Sequence, residues 1–282
     1  SESTIQRGSL LTEDFTGDPL TPYEPALPLD GLIKIKRKKP EDAQLHSIPV
    51  TPIGYGAAKE ILGQMNGDVV PEGWQGGLPF TYRLQGGSDL KVFLEVNQPR
   101  EFVRVQNVIG TVKGSLYPDE WVILGCHLDA WGFGATDPSS GTAMLLSLSE
   151  TLGKLVAEGK GPKRSILIGH WDAEEHGVIG STEWVEQMRK ELKAKAVAYM
   201  NFDGAVSGKR FGVSSSPSLK ELVLDTAKEV DYPYSEMSLY DNWKGNNEMP
   251  SIGNLGGGSD HIGFYMHVGI PSMSGGAGGT TV

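Results

Sequence analysis

From about Phe102 onward, short apolar runs alternate with longer segments whose apolar residues recur at helical spacing. The predicted strands are Asn107–Val112, Trp121–Gly125, Arg164–Gly169 and Ala196–Asn201. The predicted helices are Ser139–Glu158, Thr182–Lys195 and a segment that opens at Ser218, where Ser218 and Glu221 have the spacing of a capping box. Strands that alternate with helices of this length build a sheet covered by helices on both faces. This part of the chain is therefore predicted to be an α/β domain.

The first hundred residues differ in character, because Pro and Gly interrupt them frequently. Residues 46–53 and 89–96 predict strands, and a short helix is predicted over Gly56–Met65. Residues 34–39 include five basic side chains, which we interpret as a solvated edge strand or loop because acidic residues follow closely. The last 30 residues hold ten glycines, and we predict no closing strand and no covering helix there.

Charge and cysteine content exclude several classes of protein. Lys and Arg number 25 and Asp and Glu number 35, which gives a net charge of −10. Such an acidic chain is not expected to bind nucleic acid, which usually requires a basic face. Cys126 is the only cysteine, so neither an internal disulfide nor a cysteine-based zinc cluster can form.

Histidine and carboxylate side chains follow three of the predicted strands, at the point where each strand ends. They are His127, Asp129 and Asp137 after one strand, Asp172, Glu174 and Glu175 after another, and Asp203 after a third. Open α/β sheets place their sites at the carboxyl ends of their strands. Imidazole and carboxylate together, without thiolate, suit zinc or a similar divalent metal.

Each of these residues also has an ordinary structural interpretation. A single histidine after a strand is most often packed or exposed, a pair such as Glu174 and Glu175 is usually a solvated turn, and Asp203 could cap a helix. Their occurrence at the ends of three separate strands favours a metal site. Adjacent glutamates beside Trp171 are also costly to hold together unless cations neutralise them.

The same residues carry a resemblance to a known family. The patterns His127-x-Asp129, Asp137-Pro, Asp172-Ala-Glu-Glu and Asn201-x-Asp203 resemble the zinc exopeptidases related to glutamate carboxypeptidase II and the transferrin receptor. The similarity covers nearly the whole chain, and it includes Gln6-Arg-Gly, Gly17-Asp-Pro-Leu-Thr-Pro, Asn107-Val-Ile-Gly-Thr and Gly180-Ser-Thr-Glu-Trp. It implies a three-layer α/β/α mixed sheet of the zinc-exopeptidase type, preceded by part of a β-rich protease-associated (apical) domain. The implied domains are residues 1–101 for the later part of the apical domain and residues 102–282 for a peptidase domain that is incomplete at its C-terminus.

The resemblance also implies a role for each site residue. Two zinc ions share a hydroxide in this family; His127 and Asp203 would bind one, Glu175 the other, and Asp137 both. Glu174 would be the general base, and Asp129 would hold His127. A fifth ligand, a histidine, is expected beyond residue 282, and we interpret His261 and His267 as loop or core residues. Substrate contacts are implied for Gly258 and Ser259.

A second cation site is implied for Thr21, Glu24, Glu183 and Glu186, which fall near positions that bind a structural calcium ion in the family. Glu183 and Glu186 are one helical turn apart and could share a hard cation. The alternative is that both are solvated helix glutamates.

The implied function is that of a metallo-exopeptidase that hydrolyses terminal peptide bonds, with a peptide or small amide as substrate. Two alternatives stay open: an inert, receptor-like binding or scaffold homologue, and a zinc amidohydrolase acting on a non-peptide amide. Aminopeptidase and carboxypeptidase modes are not distinguished, although Pro271–Gly276 lacks the arginines with which glutamate carboxypeptidase II grips acidic substrates. The family further implies a homodimer, formed through a helical domain outside this chain, and a secreted, periplasmic or membrane-tethered ectodomain.

Overall fold

The computed structural model describes residues 5, 8, 16–43, 45, 48–99 and 101–279. The chain divides into two compact units: Ser1–Leu10 with Leu45–Phe102, and Leu11–Gln44 with Val103–Val282. Residues 11–44 thus belong to the second unit, whereas the predicted division after residue 101 assigned them to the first. Two backbone N–H groups account for this, because that of Gly17 donates to Gly177 O (3.0 Å) and that of Asp18 donates to the side-chain carboxylate of Glu183 (2.6 Å).

The first unit contains one helix and one small sheet. Its elements are α1 (Tyr55–Gly63), β1 (Asn66–Val69) and β2 (Arg83–Gln85), and the two strands pair antiparallel. The predicted short helix is therefore confirmed. The strand predicted over residues 89–96 does not form, and three of its apolar side chains, Val92, Phe93 and Leu94, are exposed. Residues 48–53 are not a strand either, and His46 and Ser47 lie outside the described residues.

The second unit carries most of the regular structure. Its strands are β3 (Val108–Val112), β4 (Tyr117–His127), β5 (Arg164–Trp171), β6 (Ala196–Asn201), β7 (Arg210–Ser215), β8 (Gly253–Asn254) and β9 (Ser272–Gly278). Its helices are α2 (Ser139–Ala157), α3 (Ile179–Gln187), α4 (Arg189–Lys195), α5 (Lys220–Glu229) and α6 (Leu239–Lys244), with a π-helical segment at Gly263–His267. The basic residues 34–39 form a loop, as one of the two predicted alternatives required. None of the helices within the described ranges is both long enough and apolar enough to cross a lipid bilayer.

The seven strands form one mixed sheet in the order β3-β5-β4-β6-β9-β7-β8. Strands β5, β4, β6 and β9 run parallel to one another, while β3 is antiparallel to β5 and β7 is antiparallel to β9. The predicted mixed α/β fold is therefore confirmed. Because β5, β4 and β6 are adjacent and parallel, their carboxyl ends meet at one edge of the sheet.

Helices cover this sheet on both faces, and alternate residues of each central strand point to opposite sides. On one face, Ile123 of β4 and Leu167 of β5 pack with Val185 of α3 and Leu192 of α4. On the other face, Leu124 and Ile168, the next residues along the same strands, pack with Leu145 and Leu152 of α2. These two clusters hold the three strand ends in fixed positions.

Several sequence-based expectations about local structure are wrong. The helix predicted over Thr182–Lys195 begins earlier and is broken at Met188, where the backbone leaves the helical region (φ −99°, ψ 12°). Ser218 does not cap α5, because Pro217 already opens a 3₁₀ turn and Ser218 lies inside it. A strand does form in the glycine-rich C-terminal segment, since β9 occupies the space between β6 and β7.

Candidate metal centre

Three of the predicted metal ligands converge at the carboxyl edge of the sheet. His127 is the last residue of β4, Asp137 lies before α2, and Glu175 lies in the turn after β5. One ligand atom from each lies within 4.8 Å of the other two. The His127 Nε2 and Asp137 Oδ1 atoms are 2.8 Å apart, and the imidazole is almost fully buried while the Asp137 side chain is 59% exposed. The cluster thus pairs the buried imidazole of His127 with the solvent-accessible carboxylate of Asp137.

Asp129 connects His127 to the turn that carries the glutamates. Its Oδ1 accepts from the N–H of Glu174 (2.9 Å) and its Oδ2 from that of Glu175 (3.2 Å). The nearest partner of His127 Nδ1 is the backbone carbonyl of Asp129 at 2.8 Å, and the carboxylate lies farther away, at 3.6 Å. Asp129 therefore fixes the β5–α3 turn with its side chain and the imidazole chiefly with its backbone.

The Glu174 side chain is only 10% exposed, and its Oε2 lies 3.9 Å from His127 Nε2. Burial raises its pKa to about 8, although the positive charge of His127 opposes the shift. Burial also raises the pKa of Glu175. Burial alone would lower the pKa of His127, but the carboxylates of Asp129 and Asp137 outweigh it and raise that pKa to about 12. In the metal-free protein, His127 therefore keeps its proton, and the positive charge of the imidazolium stabilises the neighbouring carboxylates.

Asp203 follows β6 and lies outside the three-residue cluster, although its charge contributes to the raised pKa of His127. Its Oδ2 accepts from Asn201 Nδ2 (2.8 Å) and from the Ser259 hydroxyl. Its Oδ1 is inaccessible to solvent and has no hydrogen-bond partner. Burial raises the pKa of Asp203, and Ser259 opposes that shift. An orphaned carboxylate oxygen in such a place fits a cation ligand.

The two residues predicted to contact substrate differ in their surroundings. Gly258 is exposed and adopts a left-handed backbone conformation (φ 89°). Ser259 is buried, and its hydroxyl donates to Asp203 while accepting from Asn201 Nδ2 (2.8 Å). Neither His261 nor His267 belongs to the cluster around His127: His261 Nε2 lies 2.7 Å from Gly256 O, and His267 lies near Glu186. His261 is buried, and His267 is the half-buried last residue of the π-helical segment.

The implied calcium ligands also gather within the second unit. The Glu183 carboxylate accepts from the backbone N–H groups of Asp18 (2.6 Å) and Ala26. Both carboxylate oxygens of Glu186 and the Thr21 hydroxyl are buried without a hydrogen-bond partner, while Glu24 is exposed. The alternative of two solvated helix glutamates is therefore wrong.

The side chain of Asn107 joins the two ends of the loop after β5, a role that the sequence did not reveal. The Asn107 amide accepts from the N–H of Asp172 (3.1 Å) and donates to Gly180 O (2.8 Å), so it joins the two ends of the loop that carries Glu174 and Glu175. Asp172 itself accepts from Gln106 N–H (2.8 Å). Asn107 lies directly before the edge strand β3, and that position alone is a weak signal of this role.

Comparison with known proteins identifies the family. Residues 107–280 match the family model of peptidase family M28. The chain belongs to peptidase family M28.

This M28 chain is similar to aminopeptidase NAALADL1 of Rattus norvegicus, with 39% identity over 96% of the chain and 38% of the relative. It is 40% identical to a probable glutamate carboxypeptidase (LAMP1) of Arabidopsis thaliana, over 91% of the chain and 37% of the relative. The solved structure of a zinc aminopeptidase from Bacillus subtilis is similar over 62% of this chain and 41% of that one, with 22% identity and a TM-score of 0.47. The chain thus spans less than two fifths of the length of these curated relatives.

Proposed function

We propose that this chain carries the catalytic centre of a co-catalytic two-zinc exopeptidase, which hydrolyses terminal peptide bonds. The observation that supports the proposal most directly is the convergence of His127, Asp137 and Glu175 within 4.8 Å at the carboxyl edge of the sheet. Family membership agrees with a peptidase, and relatives named as aminopeptidase and glutamate carboxypeptidase agree with action at chain ends.

The donor set suits zinc, which prefers imidazole and carboxylate ligands when no thiolate is present. His127, Asp203 and Asp137 would hold one ion, and Asp137 and Glu175 would hold the other together with a histidine outside this chain. Zinc, when bound, supplies Lewis acidity toward the scissile carbonyl and toward water. Such an ion would give the unpartnered Oδ1 of Asp203 a ligand bond, and it would replace the proton that His127 carries in the metal-free protein.

Glu174 is assigned to proton transfer. It is held by its backbone N–H on Asp129, and its carboxylate lies beside the ligand cluster without belonging to it. Burial moves its pKa toward neutrality, which suits a group that must take a proton from water and then donate it to the leaving amine. Asp129 is assigned to positioning, because it binds the backbone of both glutamates.

The test compares two neighbouring glutamates in the full-length protein. Glu174→Gln should lower kcat by about 10²–10⁴-fold with zinc content unchanged. Glu175→Gln should lower zinc content as well as rate, because it removes a charged ligand. Glu150→Gln, on the exposed face of α2, is the matched control and should change neither. Equal zinc loss at both positions would contradict the assignment of roles. Zinc-loaded protein without turnover on any terminal peptide substrate would favour the binding homologue, and activity on non-peptide amides alone would favour the amidohydrolase.

We also propose that Thr21, Glu183 and Glu186 bind a structural calcium ion, with Glu24 at its rim. Carboxylate and hydroxyl oxygens are the ligands that Ca²⁺ prefers. The unpartnered oxygens of Glu186 and Thr21 support the proposal, because buried polar atoms are normally satisfied. Identification of the first unit as an apical domain, the homodimer and the cellular location stay predictions.

A further inference from the structure

A continuous chain of buried hydrogen bonds leads from β5 to Asp203. Trp171 Nε1–H donates to the Tyr199 hydroxyl (3.0 Å), and that hydroxyl donates to Asn201 Oδ1 (2.9 Å). The Asn201 amide then donates to Asp203 Oδ2 (2.8 Å) and to Ser259 Oγ (2.8 Å), whose own hydroxyl hydrogen goes to the same Oδ2. Trp171, Tyr199 and Asn201 have no solvent-exposed surface.

All the hydrogen bonds in this series are donated in the same direction, from Trp171 toward Asp203. Indole N–H can only donate, so the Tyr199 hydroxyl must accept from Trp171 and donate onward to Asn201. The orientation of the Asn201 amide is fixed as a result, with its oxygen toward Tyr199 and its NH₂ group toward Asp203. Every donor at the end of the chain reaches Oδ2, whereas Oδ1 receives none.

The series of hydrogen bonds crosses β4, which lies between β5 and β6, and the glycine at position 125 of β4 leaves the space for it. A Cβ atom on Gly125 would lie 2.4 Å from Trp171 Nε1 and 2.6 Å from the Tyr199 hydroxyl. Only glycine leaves room for this hydrogen bond above the strand. Tyr199 and Asn201 are two apart in β6 and share one face of the sheet, and Asp203 follows in the turn after the strand.

We propose that Trp171, Tyr199, Asn201 and Ser259, together called the Asp203 relay, are positioning residues that hold the Asp203 carboxylate for metal binding through Oδ1. Saturation of Oδ2 by two donors leaves one oxygen for a cation and fixes the rotation of the carboxylate. The relay acts as hydrogen-bonded partners of metal ligands do elsewhere, where their loss costs about 10–100-fold in metal affinity or activity. The inference rests on the proposed function, because it takes Asp203 as a zinc ligand.

The test measures affinity for Co²⁺, whose visible absorption reports coordination, by titration of the metal-free full-length protein. Tyr199→Phe removes one hydroxyl and keeps the ring, which stacks on Phe264 with centroids 3.9 Å apart. Ser259→Ala removes a direct donor to Oδ2. Each variant should raise the Kd of the first Co²⁺ equivalent by about 10–100-fold and alter the absorption bands. Tyr232→Phe, which loses a hydroxyl bond to Lys209 O (3.1 Å) away from the relay, is the control and should bind Co²⁺ like the unaltered chain.

The Asp203→Asn variant distinguishes the role of Asp203 as a metal ligand from the role of the relay that positions it. If the unaltered chain binds Co²⁺ and Asp203→Asn weakens binding, while Tyr199→Phe and Ser259→Ala bind within about threefold of the unaltered chain, the relay is refuted and the ligand set stands. A relay variant that loses thermal stability without a change in Kd or spectrum refutes it equally, since that is the signature of a purely structural role. If the unaltered chain binds no Co²⁺, or Asp203→Asn binds it unchanged, the proposed ligand set fails and the relay fails with it.

Discussion

Alanine in place of Gly141, near the start of α2, should destabilise the chain and disturb Asp203 together. A Cβ atom at this position would lie 1.7 Å from the carbonyl oxygen of Phe202 and 2.8 Å from that of Asp203, against an ordinary contact of 3.4 Å or more. The obstacle is backbone, so no side-chain rotation relieves it. Overpacking costs about 1–3 kcal/mol, and a clash of this depth belongs at the upper end. Higher helix propensity returns about 1 kcal/mol, which leaves a net loss of about 2 kcal/mol.

Gly153 supplies the matched control, because it lies in the same helix, is exposed and has no atom within 4 Å of its Cβ position. Gly153→Ala should therefore gain about 1 kcal/mol from propensity alone. At roughly 2–4 °C per kcal/mol for a chain of this size, Tm should fall by about 4–8 °C for Gly141→Ala and rise by about 2–4 °C for Gly153→Ala. Thermal melts of both variants, with Co²⁺ titrations alongside, make the measurement. A Tm for Gly141→Ala equal to or above that of Gly153→Ala would refute the packing argument.

Three further outcomes are expected. The metal-free chain should lose stability as pH rises from about 5 to 8, because burial raises the pKa of Glu183 to about 7 and that of Glu186 to about 8. Over this range the folded chain keeps protons that the unfolded chain has released. Ca²⁺ should flatten the slope of Tm against pH, and an unchanged slope in a Glu183→Gln/Glu186→Gln double variant would show that other groups cause the loss of stability. Asn107→Ala should lower zinc affinity and turnover together in the full-length protein, because its amide joins the ends of the loop that bears Glu174 and Glu175; normal zinc content and kcat would contradict this. The full-length protein should not prefer a C-terminal glutamate, since Pro271–Gly276 offers no cation; kcat/KM for matched dipeptides that favours glutamate over leucine by more than about a hundredfold, some 2.7 kcal/mol at 1.36 per decade, would contradict it.

The central sheet could be predicted from sequence because its strands are apolar on both faces. The middle residues of two runs, Val122–Leu124 and Ile166–Ile168, lie between two helical layers and are all β-branched or aliphatic. The convergence of His127 and Glu175 followed from the same reasoning, because parallel neighbours place their carboxyl ends together. These features depend on local pattern alone.

The features that were missed depend on contacts between distant segments. β9 contains Ser, Met, Gly and Ala and has no strand signature, yet it forms because β6 and β7 supply partners on both sides. Its glycines are needed for close approach, since a Cβ on Gly276 would lie 2.7 Å from Gly204 O. Conversely, residues 89–96 alternate like a strand and form none, because no strand among the described residues of the first unit pairs with them.

In the metal centre, residue types were predictable and hydrogen-bond partners were not. The spacing Tyr199-x-Asn201 does place two polar groups on one face of β6, directly before Asp203, which is unusual for a buried strand and could have signalled the relay. The part played by Gly125 could not be foreseen, because it depends on two side chains from strands on either side of β4.

The location of β9 has a consequence for synthesis on the ribosome. β6 ends at Asn201 and must wait for Ser272–Gly278 before its outer edge is paired, and β7 waits for the same segment. At about 5–20 residues per second, translation of the intervening chain leaves that edge open for roughly 4–15 s. An unpaired strand edge is the surface on which chains aggregate, so the nascent chain passes through a period in which chaperone binding at β6 and β7 should govern the yield of folded protein.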